Sequence, residues 1–322
     1  MLSKELELLT NNLETLKIKM KVNLKLLKRL YLIDHESCKE HDMVSFILNY
    51  CYKIPHLTFS IDKECNLFIT KNTTNPEKYA CVVAHMDTVH SFTSARELVM
   101  HNNIVSAYYI KSGIQCGLNA DDCNGILVAL QLLETLPNLK VCFTTQEEMG
   151  GKGAYEAANN IEFFLDVQYL IQADRRGNND LITYTNGINS ASKKFVEDIQ
   201  PLMDKYNYSE GVGTFTDIGV LADELLISGV NVSCGYYNEH TFKEICNISE
   251  LNNCLNFIYD IIVSLNDKDT MYSIQPQKPY ENYSNTNYNY GNYVYNDYPK
   301  DNYSLPCDYC TDQDCMHCKH TW

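Results

Sequence analysis

The chain has 322 residues, of which 45% are hydrophobic, enough for one sizeable core with appendages. Its 26 Lys and Arg residues are outnumbered by 41 Asp and Glu residues, and the formal net charge is -15. This acidic balance argues against a nucleic-acid backbone or an anionic membrane surface as the main partner.

Targeting signals and cysteine usage indicate the compartment. The first residues alternate charge with isolated leucines and lack the apolar stretch and small-residue cleavage site of a signal peptide. Farther along, no run of about 18 or more apolar residues is present to span a membrane. The 14 cysteines are scattered through predicted strands and helices, which is typical of reduced thiols. We therefore expect a cytoplasmic location.

The first part of the chain changes from helical to β patterns. Up to about residue 50, apolar residues recur at helical spacing, as in Leu26, Leu30 and Ile33 and again within 43–52, which predicts core helices. From residue 57 to 70, the short runs LTFSI and NLFIT flank the polar letters DKEC. This pattern predicts a hairpin.

Beyond residue 78, apolar runs alternate with helical patterns. The runs are YACVVAHMD, LKVCFTTQEE, YLIQAD and VNVSCGYYNEH, and each ends in polar residues. The helical segments are DDCNGILVALQLLETL, SASKKFVEDIQPLMDKY and SELNNCLNFIYDIIVSL. Such alternation predicts an α/β fold with a mixed, mostly parallel central sheet and helices on both faces. Ligands of these sheets bind beyond the carboxyl ends of the strands.

The C-terminal part differs in composition from the rest. Residues 271–305 are rich in Asn, Tyr and Pro, so we predict a linker of low order between a folded domain at 1–270 and a cysteine-rich end at 306–322. That end carries two CxxC pairs, formed by Cys307, Cys310, Cys315 and Cys318. Paired CxxC units predict a structural Zn²⁺ site. Because the spacing between the pairs is short, a reduced and flexible tail is the alternative.

Residues that bind metals follow several predicted strands or begin a helix. They are His85 with Asp87, Asp121 with Asp122, Glu147 with Glu148, Asp174, and His240. Each segment alone is more often a surface loop than a metal site. Together, the strand ends deliver imidazole and carboxylate groups to one edge of the sheet. This mixed nitrogen and oxygen set suits Zn²⁺, with Mn²⁺ or Co²⁺ as substitutes.

The order of these segments resembles that of the co-catalytic zinc exopeptidases, which include single-domain aminopeptidases, peptidase T and glutamate carboxypeptidases. The resemblance covers about residues 57–265 and depends on HMDTV, ADDxxG, QEEMGGKGA, the strand-end Asp174 and GYYNEH. It implies a metallopeptidase catalytic domain at 1–270 with two Zn²⁺ ions. Asp121 would bridge the ions, with His85 and Asp174 on one and Glu148 and His240 on the other.

The resemblance also implies catalytic roles. Glu147 would be the general base that takes a proton from the attacking water. Asp87 would accept the ring N–H of His85 and so orient the ligand. The peptide bond between Asp121 and Asp122 would be cis.

The spacing of the motifs narrows the architecture. The stretch from Asp174 to His240 is too short to hold the separate lid domain that peptidase T and glutamate carboxypeptidases insert there. We therefore predict a lidless catalytic domain, and the oligomeric state stays open. Cys123 stands where several two-domain relatives carry Lys, which leaves the ligands intact.

Residues near the ligands allow more than one interpretation. Arg175 and Arg176 directly follow a proposed ligand and either contact a substrate carboxylate or form surface salt bridges. Asp217 either supports the site or, with Thr216, caps a helix, and we favour the cap. His90 is interpreted as a polar loop residue.

The leading functional hypothesis is an aminopeptidase or dipeptidase that hydrolyses small peptides. The alternatives are an N-acyl amino acid deacylase or other amidohydrolase, a glutaminyl cyclase with a single zinc, and an inactive binding protein of the same fold. The complete ligand set and the presence of Glu147 favour an enzyme. The expected partner is a peptide or N-acyl amino acid substrate, with no nucleic acid and no membrane.

Overall fold

A computed structural model describes residues 19–266, 268 and 270–276. Its helices are α1 (Leu24–Tyr31), α2 (His41–Cys51), α3 (Ala120–Thr135), α4 (Lys152–Ala157), α5 (Ile161–Phe164), α6 (Lys193–Tyr206), α7 (Asp217–Leu225) and α8 (Ile248–Leu265). Its strands are β1 (Leu57–Ile61), β2 (Leu67–Asn72), β3 (Tyr79–His85), β4 (Arg96–His101), β5 (Ile104–Tyr109), β6 (Gln115–Cys116), β7 (Asn138–Thr144), β8 (Val167–Arg175), β9 (Asp180–Thr185), β10 (Ile188–Asn189), β11 (Ser209–Val212), β12 (Gly229–Ser233), β13 (Tyr236–Tyr237) and β14 (Ile245–Asn247). None of the helices described here has the length and apolar character needed to cross a bilayer.

The central sheet has nine strands in the order β1-β2-β7-β3-β8-β12-β9-β10, with β11 paired to β9. Its four middle strands, β7, β3, β8 and β12, run parallel. The antiparallel hairpin of β1 and β2 extends one side, and β9 pairs antiparallel with β12 on the other. The predicted hairpin and the mixed sheet with a parallel centre are both confirmed.

Helices cover both faces of this sheet, as the sequence predicts. Successive side chains of a strand point to opposite faces. Accordingly, Val82 and Ala84 of β3 belong to a core cluster under α1, α2, α3, α6 and α8. Cys81 and Val83 belong to a second cluster under α4, α5 and α7. Strands that are apolar on both faces explain the continuous apolar runs in the sequence.

The region between Asp174 and His240 confirms the lidless prediction. Strands β9, β10, β11 and β12 all join the nine-stranded sheet, and α6 and α7 pack against it. Apart from the short strand β13, which belongs to a second sheet, the strands and helices of this segment are therefore part of the central sheet and its helical layers.

A second, five-stranded sheet was not predicted. It consists of β13, β14, β5 and β4 in that order, with β6 paired to β5. Three of its strands have only two or three residues, and β4 (RELVMH) has only three consecutive apolar residues, so sequence patterns do not mark these strands.

Other predictions meet the structure only in part. Leu26 and Leu30 are buried on α1, whereas Ile33 lies beyond the end of that helix. Residues 1–18, most of the linker and the cysteine-rich end lie outside the described residues. The domain boundaries therefore stay a prediction.

A short segment at 20–23 is attached by side-chain amides of two helices. Asn256 of α8 accepts a hydrogen bond from the N–H of Met20 (2.9 Å) and donates one to its carbonyl (3.0 Å). Asn252 of α8 accepts a hydrogen bond from the N–H of Val22, and Gln131 of α3 accepts one from the N–H of Asn23 and donates one to the carbonyl of Lys21. The amides satisfy buried backbone groups that have no strand to pair with.

Candidate metal centre

The sequence-predicted ligands meet at the carboxyl edge of the parallel strands. His85 is the last residue of β3, Asp174 is the second-to-last residue of β8, and Glu148 lies in the turn after β7. Asp121 belongs to the first turn of α3, and His240 lies in the loop after β13. Because parallel strands end at the same edge, the topology alone delivers three of the five side chains.

Asp121 lies between the two histidines. Its Oδ1 is 2.9 Å from Nε2 of His85, and its Oδ2 is 3.3 Å from Nε2 of His240. On the first side, Asp174 Oδ1 is 3.6 Å from His85 Nε2. On the second side, Glu148 Oε1 is 2.9 Å from His240 Nε2. Each half thus contains one imidazole and one carboxylate of its own and shares Asp121.

This arrangement can hold a divalent metal ion. Ligand atoms of His85, Asp121 and Glu148 lie within 4.8 Å of one another, and the same holds for His85, Asp122 and Asp174. The first group takes residues from both halves, and the second includes Asp122. Glu148 Oε1 is buried, yet within the described residues no hydrogen bond reaches it, although His240 Nε2 is nearby. A buried carboxylate oxygen without a donor is costly unless a cation compensates it.

The electrostatics of the centre also favour cations. Burial lowers the pKa of the His240 imidazole, but the carboxylates of Asp121 and Glu148 raise it to about 11. Burial, followed by the charge of Asp121, raises the pKa of Asp174 to about 7. The crowded carboxylates therefore attract protons when no metal is bound. Because metal ligands must lose their protons, divalent cations replace that positive charge.

Asp87 links His85 to the turn that carries Glu147 and Glu148. Its Oδ1 accepts the N–H of Glu147 (2.9 Å), and its Oδ2 accepts the N–H of Glu148 (3.2 Å) and the hydroxyl of Ser37 (2.7 Å). His85 Nδ1 lies 3.0 Å from the carbonyl of Asp87 and 3.3 Å from its Oδ1. Either contact favours the tautomer that leaves Nε2 available for a metal.

Glu147 lines the cleft beside the ligands and is half-buried. Burial raises the pKa of its carboxyl group well above the usual range; His85 opposes this rise, and Asp217 and Asp174 add to it. Bound metal ions would lower this pKa again. The turn that positions Glu147 requires glycine, since a Cβ at Gly153 would lie only 2.1 Å from the carbonyl oxygen of Thr145.

The ADDxxG motif forms the start of α3. The peptide bond between Asp121 and Asp122 is cis, as predicted. Asp122 is buried and accepts hydrogen bonds from the N–H of His85 (3.2 Å) and of Gly125 (2.9 Å). A Cβ at Gly125 would lie 2.4 Å from Asp122 Oδ1, which explains the glycine of the motif.

Asp174 has polar neighbours that sequence reasoning missed. Its carboxylate accepts hydrogen bonds from Gln172 Nε2 (3.0 Å) and from the hydroxyls of Tyr236 (3.3 Å) and Thr216 (3.4 Å). Gln172 lies two residues earlier on the same face of β8, a spacing that could have revealed it. Thr216 occupies the predicted N-cap position, but its side chain does not cap α7. Asp217 begins α7 with its side chain buried.

The centre opens into a cleft of about 380 Å³. Arg175, Arg176, Phe215 and Glu239 contribute to its lining. Arg176 forms an ion pair with Glu239 (2.7 Å), and Arg175 Nε lies 3.2 Å from Asp180 Oδ2. Both arginines thus form the salt bridges that the sequence left open, while they also face the space that a substrate would occupy.

Comparisons with known proteins support the fold. No protein-family model matches the sequence, and no curated protein does. Among solved structures, the aminopeptidase PepT from Bacillus cereus is 14% identical with a TM-score of 0.63, over 76% of this chain and 98% of that one. A tripeptidase from Staphylococcus aureus is 15% identical with a TM-score of 0.62, over the same shares of the two chains.

An archaeal structure adds to this likeness. An aminopeptidase from Desulfurococcus kamchatkensis is 16% identical with a TM-score of 0.54, over 74% of this chain and 93% of that one. At such low identity the likeness concerns the fold. The chain thus shares the fold of these aminopeptidase and tripeptidase structures, which is the fold that its motifs predict.

Proposed function

We propose that this chain is a two-metal exopeptidase, an aminopeptidase or dipeptidase that hydrolyses small peptides, with zinc as the metal. The observation that carries the proposal is the position of the Asp121 carboxylate, whose two oxygens face His85 on one side and His240 on the other. Asp174 and Glu148 complete the two halves. One His and two carboxylates per metal match the ligands that zinc hydrolases use.

In the proposed hydrolysis, the metals, Glu147 and Asp87 have different roles. When bound, the two metals lower the pKa of a water molecule and withdraw electrons from the scissile carbonyl. Glu147 is the side chain that accepts the proton of that water and returns it to the leaving amine. Asp87 orients His85 and, through two backbone N–H groups, the turn that carries Glu147.

The two arginines of the cleft indicate a substrate that carries a carboxylate. Arg175 and Arg176 line the space beside the centre, and a guanidinium group binds a carboxylate with two parallel hydrogen bonds. A dipeptide and an N-acyl amino acid both present a carboxylate close to the amide that is cleaved. The arginines therefore keep the N-acyl amino acid deacylase as the second candidate.

We also propose that the protein acts in the cytoplasm. Eight cysteines of the described part are buried free thiols: Cys51, Cys81, Cys116, Cys123, Cys142, Cys234, Cys246 and Cys254. Scattered free thiols are typical of a reducing compartment.

The test measures hydrolysis and metal content together. The purified protein is assayed on aminoacyl amides, dipeptides and N-acyl amino acids, and its metals are counted by elemental analysis. We expect release of amino acids from peptides and two metals in the catalytic domain. Replacing Glu147→Ala should lower kcat by roughly a thousandfold and leave both metals bound, because it removes the base and no ligand. Glu162→Ala, an exposed glutamate on α5, is the matched control.

The outcomes separate the candidates. Turnover of N-acyl amino acids alone would replace the peptidase by a deacylase. A single metal with cyclisation of N-terminal glutamine would indicate a glutaminyl cyclase. A folded protein that binds no metal at the centre and turns over no substrate would refute the proposal and leave a binding role.

A further inference from the structure

A buried glutamate outside the ligand set lies behind the first turn of α3. Glu244 has no exposed surface, and its two oxygens accept four consecutive backbone N–H groups. Oε2 is 2.8 Å from the N–H nitrogen of Leu118 and 2.9 Å from that of Asn119. Oε1 is 2.8 Å from the nitrogen of Ala120 and 3.1 Å from that of Asp121. One side chain thus holds the backbone of the bridging aspartate.

His90 completes the surroundings of this carboxylate. Its Nε2 lies 3.1 Å from Glu244 Oε2. The ring packs against Gly117, where a Cβ would lie 2.4 Å from the His90 ring. Five donors therefore surround Glu244, and hydrogen bonds to a charged group are stronger than those between neutral groups.

The turn held by Glu244 departs from regular helical geometry. Asn119 has a left-handed backbone with φ of +70°, and Asp121 has non-helical angles although it lies within the bounds of α3. The direction of the Asp121 side chain therefore does not follow from a regular helix. It depends on the orientation of residues 118–121, and Glu244 binds the N–H group of each of them.

Glu244 also belongs to the loop that carries His240. The N–H of Glu244 donates to the carbonyl of Thr241 (3.2 Å), and the hydroxyl of Thr241 donates to the carbonyl of Asn238 (2.7 Å). These bonds make 238–244 a compact loop with His240 in its middle. The carboxylate of Glu244 thus connects the His240 loop to the turn of Asp121. The ligand His85, in contrast, is held by its own strand.

We propose that Glu244 is a positioning residue for the metal on the His240 side of the centre. It sets the distance between Asp121 and His240, so its loss weakens the metal that these two residues share with Glu148. The metal on the His85 side is retained. This inference rests on the proposed two-metal function and adds a residue that binds neither metal nor substrate.

The experiment compares the metal affinities of three full-length proteins, wild type, Glu244→Gln and Glu250→Gln. Glutamine keeps the shape of Glu244 but places an NH₂ group against backbone N–H donors, so that part of the hydrogen bonds to residues 118–121 is lost. Glu250 is the matched control, since it binds the hydroxyl of Tyr237 and the amide of Asn178 without touching the turn at 118–121. Each metal-free protein is titrated with Co²⁺, followed by its visible absorption, and then with Zn²⁺ against a chelator.

We expect two metal equivalents at the catalytic centre of wild type and of Glu250→Gln, counted apart from any ion that the cysteine-rich end binds. For Glu244→Gln, we expect one equivalent of unchanged affinity and a second weakened by about tenfold to a hundredfold, as is usual for residues that orient ligands. The cobalt absorption of the second equivalent should change as well. Circular dichroism and thermal unfolding verify that the variant is folded. A purely structural role would lower the unfolding temperature and leave the affinity ratio of the two sites unchanged.

Other outcomes overturn the inference. A folded Glu244→Gln protein that binds both metals as wild type does would refute it alone. A wild type that binds no second metal would overturn the proposed function, and the inference with it. If Glu244→Gln does not fold, His90→Ala keeps the four backbone bonds and should weaken the second metal by a smaller factor. Unchanged affinity in that variant, or failure of both variants to fold, would contradict a role confined to one metal.

Discussion

The two halves of the candidate metal centre, whose ligands are proposed, are built differently. The ligands His85 and Asp174 lie on neighbouring parallel strands, and the His85 side chain is 1% exposed. The ligands Glu148 and His240 lie in a turn and a loop, and the His240 side chain is 43% exposed. Asp121 joins the halves. One half is thus part of the core, whereas the other faces the solvent side of the cleft.

The difference teaches how each kind of ligand is held in place. The hydrogen bonds of the sheet already position a strand residue, so His85 and Asp174 need support only for their side chains. The backbone of a loop residue is not held by the hydrogen bonds of a sheet. The carboxylates of Asp87 and Glu244 take their place by binding the backbone of the Glu148 turn and of the Asp121 turn. In this centre, buried carboxylates thus fix the backbone of the turns by hydrogen bonds, just as strand pairing fixes the backbone of His85 and Asp174.

The sharpest way to break this comparison is to remove each histidine in turn. Both His85→Ala and His240→Ala should lower hydrolysis at least about a hundredfold, since each removes a metal ligand. In metal-free protein, His85→Ala should lower the free energy of unfolding by about 3 kcal/mol, because it leaves a cavity and uncompensated buried carboxylates. His240→Ala should cost less, roughly 1 kcal/mol, because its side chain is 43% exposed and water can solvate the carboxylates that it leaves. Urea unfolding with a chelator present measures both.

Equal losses of stability in the two variants would contradict the proposed division into a core half and a loop half. Thr241→Ala, next to His240 in the same exposed loop, controls for changes in the loop itself.

A second prediction concerns the support behind the strand half. His35 is buried, with Nδ1 2.8 Å from the carbonyl of Met86, and burial lowers its pKa to about 4. The unfolded chain takes up a proton near pH 6.5, so acid favours unfolding. The contribution of His35 is complete above pH 6.5 and falls as the pH approaches 4. Between pH 7 and pH 5 we expect the loss of about 2 kcal/mol of unfolding free energy from this residue.

The measurement is urea unfolding of metal-free protein at several pH values. His35→Asn cannot titrate, so its unfolding free energy should change less between pH 7 and pH 5 than that of wild type. His101→Asn, an exposed histidine on β4, should keep the wild-type slope. If His35→Asn retains the full slope, His35 is not the group that responds to acid.

The smallest effect is expected from the cysteine-rich end, which tests whether a third metal is independent of the two halves. Replacing Cys310→Ser and Cys315→Ser together should remove one zinc per chain if the predicted structural site exists. Hydrolysis should stay within about twofold of wild type, because the residues lie outside the catalytic constellation. Elemental analysis and steady-state kinetics measure both. An unchanged zinc content would indicate that the end is a free, reduced tail.

The convergence of the proposed ligands His85, Glu148 and Asp174 was predictable from the sequence because these residues follow or end recognisable strands. An apolar run that ends in His85 or Asp174 predicts where that residue lies, because all parallel strands of a sheet have their carboxyl ends at the same edge. The resemblance then supplied Asp121 as the bridging residue and the cis bond at Asp121–Asp122, which the structure contains.

The support of the ligands was not predictable in the same way. Glu244 acts on backbone N–H groups, and nothing in the identity of residues 118–121 shows that their N–H groups converge. His90 was interpreted as a polar loop residue, yet its ring packs against Gly117 and its Nε2 lies beside Glu244. Both partners are far from His90 in sequence. The small sheet was not predicted because three of its strands have only two or three residues and β4 has only a short apolar run.

The amide contacts of residues 20–23 have a consequence for the synthesis of the chain. Met20 and its partner Asn256 are 236 residues apart. At the usual speed of translation, the ribosome needs on the order of tens of seconds to make the chain between them. Until α8 has been made, two of the three amides that hold the segment do not exist. The segment at 20–23 can therefore bind to the folded domain in its final position only after α8 has been synthesised.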